Sequence, residues 1–342
     1  MKVKSDTVPP TYMKTIGAAM PFLSVVIPVY NGERYLGEAI ESVLNQPCED
    51  CEIFIANDGS TDRSLELARQ YERSDNRIRV VTHDNVGPGQ TRNEIIPQLS
   101  GEWTLFLDCD DQVLPGFYSK DMKDFLSFCS TKQIETIVPC RLYGNADLSA
   151  ANMEYVPFDE VFRRASDASW RIDYEFATLL YSTKLLHREH IEFATTRPAE
   201  MESIFRHKAA FCSNYCLFTN SIWFAIRREN PHQTTKSWDT EKVDRIRLQE
   251  YGKLIEWHKE RGTTGYVLEE TIRKRDAARI AVEHAGEKPP LIQRIRERRS
   301  IAKWRRERKA SSRPIDEFVL DSKNQRAAIK RLTKMITGAV QE

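Results

Sequence analysis

Leu105-Phe106-Leu107-Asp108-Cys109-Asp110-Asp111 is the stretch that decides the fold, because an apolar run ends there in three carboxylates within four positions. The apolar residues, which start at Trp103, are typical of a buried central strand of a parallel sheet. Open α/β sheets bind their ligands at the carboxyl ends of the strands. The stretch therefore predicts a parallel α/β sheet with an acidic site at this strand end.

Clustered carboxylates at a strand end either lie in solvent or hold a divalent cation. Carboxylate oxygens are the hard ligands that Mg²⁺ and Mn²⁺ prefer, and these ions often bind through one or two carboxylates plus substrate phosphates. An exposed acidic turn without a cation is the alternative. Because the preceding strand is predicted to be buried, we favour the cation site.

Composition limits the class of protein. The chain has 342 residues, 30% charged residues and a formal net charge of +1, so it has no global bias toward nucleic acid. We expect two domains or one enlarged domain. Seven cysteines, no signal peptide and no apolar run of 18 residues predict reduced thiols and a cytoplasmic protein. The C-x2-C pair Cys48 and Cys51 suggests zinc only weakly, because no histidine is nearby.

Strands and helices alternate over the first 140 residues, which predicts βαβ units and a mainly parallel sheet. Apolar runs predict strands at residues 23–27, 53–56, 78–81 and 103–107. The helix after the first strand has apolar residues at helical spacing, namely Leu36, Ala39, Ile40, Val43 and Leu44.

The second half has a different rhythm. It predicts helices at 175–186 and 201–210, an aromatic strand or hairpin at 215–227, and charged helices from 240 onward. Residues 291–313 carry ten Lys and Arg against two Glu, a net charge of +8. Such a segment suits an amphipathic helix on an anionic membrane surface, or a solvated helix. Binding of nucleic acid is not expected, because Trp304 is the one aromatic residue among these charges.

Polar loops follow the predicted strands at 30–33, 57–62 and 108–111, and parallel strands bring them to one crevice. Neither a P-loop nor a dinucleotide fingerprint occurs, and a nucleotidyltransferase would show a glycine- and basic-rich loop after its first strand. A diphosphate would therefore have to bind through a metal ion. Arg92 is a candidate phosphate partner, or else an ordinary arginine of a helix surface.

Residues 22–120 resemble family 2 glycosyltransferases through several motifs in order. The motifs are Ser24-Val25-Val26-Ile27-Pro28-Val29-Tyr30-Asn31, Ser42-Val43-Leu44-Asn45-Gln46, Asn57-Asp58-Gly59-Ser60-Thr61-Asp62, Gly87 through Arg92-Asn93, and Gly101-Glu102-Trp103 leading into Asp108-Cys109-Asp110-Asp111-x3-Pro115.

The resemblance implies a GT-A (Rossmann-like) fold, a nucleotide-diphosphate sugar as donor and inversion at the anomeric carbon. It also implies the roles of individual residues. Pro28, Tyr30 and Glu33 would line the base pocket, Asp58 would hold the uracil or ribose, Arg92 would lie against the nucleotide, Asp108 would engage the ribose, and Asp108 and Asp110 would bind Mn²⁺ or Mg²⁺ with Asp111 adjacent.

The resemblance is looser in the second half. Met201-Glu202-Ser203-Ile204-Phe205 stands where many members carry Glu-Asp-x-x-Phe, so Glu202 takes the place of the catalytic aspartate. A general base must reach the acceptor hydroxyl directly, and the longer side chain leaves Glu200 as the alternative base. His232 follows the aromatic strand, in a loop that would close over the donor.

The sequence predicts an inverting glycosyltransferase that moves a sugar, most often from a UDP-sugar in this family, to a glycan or lipid-linked acceptor in surface polysaccharide or glycoconjugate assembly. A catalytically silent member that binds a nucleotide-sugar is the alternative. We expect a peripheral location on the inner face of the membrane. The predicted divisions are an extension at 1–20, a GT-A domain at 21–238 split near 120 into donor and acceptor halves, and a basic, mostly helical region at 239–342.

Overall fold

The computed structural model describes residues 20–144, 154–155, 161–164, 179–196, 202–227, 239–285 and 322–339. In these residues the strands are Leu23–Val29 (β1), Cys51–Asp58 (β2), Ile78–His83 (β3), Trp103–Phe106 (β4), Gln112–Val113 (β5), Ile134–Gly144 (β6), Glu154–Tyr155 (β7), Val161–Arg164 (β8), Leu180–Ser182 (β9) and Tyr215–Arg227 (β10). The α-helices are Leu36–Leu44 (α1), Ser64–Ser74 (α2), Pro88–Ile95 (α3), Lys120–Thr131 (α4), Thr183–Arg188 (α5), Glu202–Cys212 (α6), Thr240–Glu260 (α7), Tyr266–Glu283 (α8) and Ser322–Ala339 (α9).

These strands form one sheet in the order β3-β2-β1-β4-β9-β6-β10-β5, with β7 on β6 and β8 on β10. Strands β1 to β4 are parallel neighbours, and β10 pairs with β6 in parallel. The predicted mainly parallel sheet is therefore confirmed. As a result, the carboxyl ends of β1, β2 and β4 lie side by side at one edge.

Helices cover both faces of the sheet, because the strands alternate their buried side chains between two apolar clusters. Val25 of β1 packs with α1, α2, α4 and α9 on one face. Val26, its neighbour, packs with α3, α5 and α6 on the other. The helical C-terminal part expected from the sequence is present as α7, α8 and α9.

A buried carboxylate connects the amino ends of the strands, at the end of the sheet opposite the acidic turn. Glu52 of β2 accepts hydrogen bonds from the Ser24 hydroxyl of β1 (2.6 Å) and from the backbone N–H of Ser100 (2.7 Å). Gly101 follows, and a Cβ there would lie 2.6 Å from the Ser24 nitrogen, so only glycine fits between the strands. This contact sets the start of β4 relative to β1 and hence where its acidic end falls.

The helix predicted at 175–186 is confirmed at 183–186 and wrong at 180–182. Leu180–Ser182 is a strand that pairs antiparallel with both β4 and β6, and the helix begins only at Thr183. Insertion between two buried strands overrides the local helical pattern, as tertiary context often does. The predictions of a helix after 201 and of a strand at 215–227 are confirmed.

Some predictions lie outside the described residues: the extension up to residue 19, Glu200, His232 and the basic segment 291–313. The divisions at 120 and 238 stay predictions. Among the described residues, none of the helices combines the length and the apolar character needed to span a membrane.

Two histidines connect α6 to α7. The Nε2 atoms of His207 and His258 lie 2.9 Å apart, and both side chains are buried. One imidazole must donate and the other accept. Burial is the main reason why the pKa of His207 is lowered to about 3 and that of His258 to about 4.

We predict that acid weakens this contact and lowers the stability of the fold. An unfolded histidine has a pKa near ~6.5, so between about pH 4 and 6.5 the unfolded chain binds more protons than the folded one, and stability falls as the pH falls. His258→Gln should reduce the loss in free energy of unfolding between pH 7 and pH 5 by about 2 kcal/mol. Urea unfolding at both pH values measures this difference. The exposed His284→Gln is the control, and an equal loss in His258→Gln and the wild type would contradict the assignment.

Candidate active site

The acidic turn after β4 gathers three carboxylates. One oxygen from each of Asp108, Asp110 and Asp111 lies within 4.8 Å of the others. Continued pairing of the Leu107 N–H with the Val26 carbonyl (2.9 Å) carries the chain out of β4, and the Asp111 N–H then closes the turn on the Asp108 carbonyl (3.0 Å). The sequence prediction of clustered acids at a strand end is therefore confirmed as geometry.

Arg227, the last residue of β10, fixes the same turn from the other side. Its N–H donates to the Asp111 carboxylate (3.0 Å) and its Nε to the Asp110 carbonyl (3.1 Å). Its Nη2 donates to Glu38 (2.6 Å), and its guanidinium lies 4.4 Å from the centre of the Tyr35 ring. The sequence analysis assigned Arg227 no role, because only the pairing of β10 with β5 brings it to the turn.

Arg92 of α3 joins the acidic turn to α6. Its Nη2 donates to the Asp108 carboxylate at 2.7 Å, and its Nη1 lies 3.0 Å from Glu202 Oε1. The Arg92 side chain is 5% exposed, whereas that of Glu202 is 30% exposed. Glu202 also lies 3.8 Å from Arg206, one turn further along α6. The carboxylate of Glu202 is therefore held by two arginines and stays partly exposed.

Aromatic rings form the floor under Arg92. The guanidinium carbon lies 5.1 Å from the centre of the Phe193 ring. Phe193 stacks on Phe205 of α6, with ring centres 3.8 Å apart and planes 7° apart. Phe106, at the end of β4, meets both rings edge-on. Because Phe205 comes three residues after Glu202, this packing also sets the rotation of α6.

The donor set of the acidic turn fits a hard divalent cation. All three side chains offer carboxylate oxygens, which are the ligands that Mg²⁺ and Mn²⁺ prefer, and one oxygen of each lies within 4.8 Å of the others. Burial raises the pKa of Asp108 to about 6; the nearby charges of Glu202 and Asp110 add to this effect, and Arg92 opposes it. A cation at this turn would relieve the repulsion among these acids.

The loops after β1 and β2 form the neighbouring wall. A Cβ at Gly32 would lie 2.9 Å from Cys109 Sγ, so the β1 loop packs directly on the acidic turn. Glu33 accepts a hydrogen bond from the Arg63 N–H (2.9 Å), and Asp58 accepts from the N–H groups of Val86 (2.6 Å) and Gly87. Both carboxylates therefore shape loops in this structure.

Most predicted site residues lie at this edge of the sheet. Pro28 is buried in β1, and Tyr30 is 52% exposed just after it. Contacts directly connect Arg92, Asp108 and Glu202. Glu33 accepts from Arg63 in the loop after β2, and Asp58 accepts from Val86 and Gly87 in the loop after β3, which neither supports nor opposes their predicted roles. Phe193, under Arg92, is a further residue of this site for which the sequence carries no signal.

Comparisons of sequence find a family match in the first half of the chain. Residues 24–127 match the model described as Glycosyl transferase family 2 and overlap most of the stretch 22–120 on which the resemblance rests. EpsJ of Bacillus subtilis, described as an uncharacterized glycosyltransferase, is 29% identical over 266 residues, which are 73% of this chain and 74% of EpsJ.

Comparisons of structure agree with the GT-A fold. Residues 1–349 of TarS from S. aureus, solved with UDP-GlcNAc, superpose with a TM-score of 0.60 at 19% identity, over 80% of this chain and 77% of that one. In sequence, the chain spans 37% of the full length of TarS, a poly(ribitol-phosphate) β-N-acetylglucosaminyltransferase, at 27% identity over 62% of this chain. The mannosyltransferase PcManGT of Pyrobaculum calidifontis, solved with GDP-Man and Mn²⁺, gives 0.50 at 14% identity, over 86% and 84%.

We predict that the acidic turn binds Mn²⁺. Asp110→Ala should weaken binding of Mn²⁺ at least about tenfold, because it removes one carboxylate ligand. Electron paramagnetic resonance of the free ion measures this affinity. Asp124→Ala, which removes an exposed carboxylate of α4, should bind Mn²⁺ like the wild type. An unchanged affinity in Asp110→Ala would remove Asp110 from the metal site.

Proposed function

We propose that this protein is a glycosyltransferase that moves a sugar from a UDP-sugar to an acceptor hydroxyl with inversion, in keeping with the match of residues 24–127 to the family 2 model. The observation that carries the proposal is the position of Arg92 between Asp108 and Glu202. That contact puts the carboxylate that would act as base beside the acids that would engage the donor.

The proposed roles follow from the arrangement at the strand ends. Pro28, Tyr30, Glu33 and Asp58 would surround the base and ribose, since their loops form the wall next to the acidic turn. Asp108 and Asp110 would hold Mn²⁺ or Mg²⁺, with Asp111 kept in place by Arg227. When bound, the cation would neutralise the charge that develops on the departing nucleoside diphosphate.

Glu202 is the proposed general base. Its carboxylate would take the proton of the acceptor hydroxyl as the oxygen attacks the anomeric carbon, which needs direct hydrogen-bond reach. Arg92 would hold Glu202 Oε1, and Oε2 lies 3.8 Å from Arg206, so the proton would be taken by the part of the carboxylate that stays exposed to solvent (30% of the side chain). Attack from the face opposite the diphosphate inverts the anomeric carbon.

Donor and acceptor are proposed from the relatives. The TarS structure was solved with UDP-GlcNAc, and the name of TarS assigns it transfer to poly(ribitol phosphate). We therefore propose a UDP-sugar and a glycan or lipid-linked acceptor of the bacterial surface. The anionic membrane surface proposed for residues 291–313 rests on their net charge of +8.

Release of nucleotide from a panel of UDP-, GDP- and dTDP-sugars, with Mn²⁺ or with EDTA, tests the function. The assay needs no acceptor, because transfer of the sugar to water also releases the nucleotide. We expect release from one UDP-sugar, and we expect EDTA to abolish it. Silence across the panel, together with no detectable binding of UDP, would overturn the proposal in favour of a catalytically silent protein.

Glu202→Gln should lower turnover about a hundredfold, the usual scale for a general base, and leave the KM of the donor within about twofold. The amide keeps the shape of the side chain but cannot take the proton. Glu260→Gln, on the exposed end of α7, is the matched control. Full turnover in Glu202→Gln would exclude Glu202 and make Glu200 the proposed base.

A further inference from the structure

The side chain of Asn93 makes two hydrogen bonds to a residue far away in the sequence. Its Nδ2 donates to the Phe193 carbonyl (3.0 Å), and its Oδ1 accepts from the Phe193 N–H (2.8 Å). One side-chain amide thereby satisfies both backbone groups of a residue one hundred positions away. Phe193 lies in a non-helical, non-strand segment, residues 191–196, whose described backbone has no strand partner.

Phe193 is the ring that lies under Arg92 and on Phe205. Its position therefore influences both partners of the Arg92–Glu202 ion pair: the guanidinium on α3 and, through the stack on Phe205, the first turn of α6. Arg92 and Asn93 are adjacent in α3. The same helix turn therefore binds the Phe193 backbone through Asn93 and places the Arg92 guanidinium over the Phe193 ring.

We propose that Asn93 is a positioning residue for the transfer reaction. It holds the Phe193 ring so that Arg92 and Glu202 meet in the geometry needed for removal of the acceptor proton. The inference rests on the proposed function of Glu202 as base. It assigns Asn93 no contact with donor or acceptor.

Asn93→Ala should lower kcat about tenfold or more, since small misplacements of catalytic groups have effects of this size. The decisive measurement is a double-mutant cycle with Phe193→Leu, which removes the ring but keeps the backbone. If Asn93 acts through the ring, Asn93→Ala should change kcat less than about twofold in the Phe193→Leu background. Fully additive effects would show a merely structural role and overturn the proposal.

Gln98→Ala is the matched control, because it removes an exposed amide just after α3 that bonds only the nearby Glu94 carbonyl in the contacts described. It should leave kcat unchanged. Urea unfolding of each variant confirms that kcat is measured on folded protein.

Hydrogen exchange separates this inference from the proposed function. In Asn93→Ala, and not in Gln98→Ala, amides of 191–196 and of the first turn of α6 should exchange faster. Unchanged exchange would overturn the positioning role even if the enzyme is active. Faster exchange in Asn93→Ala, with a wild type that neither releases nucleotide from any donor nor binds UDP, would instead show that the proposed function is wrong, although Asn93 still holds Phe193.

Discussion

The buried guanidinium of Arg92 is the constraint on which the site depends. A charge that is 5% exposed must be paired, because an isolated buried ion is very costly. Its partners come from distant parts of the chain: Asp108 follows β4, and Glu202 opens α6. The pairing therefore requires the parallel strands and α6 to be placed together, and the rings of Phe106, Phe193 and Phe205 fill the space beneath it. The contacts that pack α6 on the sheet therefore also assemble the site.

The acidic turn needs support from two sides because its carboxylates repel one another. Arg92 approaches Asp108 from α3, and Arg227 approaches Asp111 from β10. Gly32 lets the β1 loop close on Cys109 without a side chain between them. These contacts hold the turn in shape, and a preorganised ligand set lowers the cost of binding a cation. The same arrangement explains why the two-residue strand β5 pairs with β10 immediately after the turn.

Much of this could be predicted from local pattern. The apolar runs of β1, β2 and β4 and their polar ends indicated the parallel sheet and the acidic edge, since both signals lie within a few residues. What local pattern could not supply was long-range pairing. Strand β9 has three residues, too few for a period to show, so the local pattern predicts helix there. Arg227 and Asn93 have roles only through partners more than ninety positions away, and nothing near them in the sequence indicates those partners.

The glutamate at 202 can be explained by the same geometry. It stands where the family's motif carries an aspartate, and this difference is the reason for considering a catalytically silent protein. Arg92 is fixed by Asp108 on one side and rests on Phe193, so its Nη1 cannot move toward α6 without losing the bond to Asp108. An aspartate at the start of α6 would bring its carboxylate about 1.5 Å less far, the length of one carbon–carbon bond. With Glu202, the carboxylate already reaches Nη1 at 3.0 Å. The longer side chain therefore matches the position of its partner, and the glutamate keeps an ion pair that an aspartate would not reach in this arrangement.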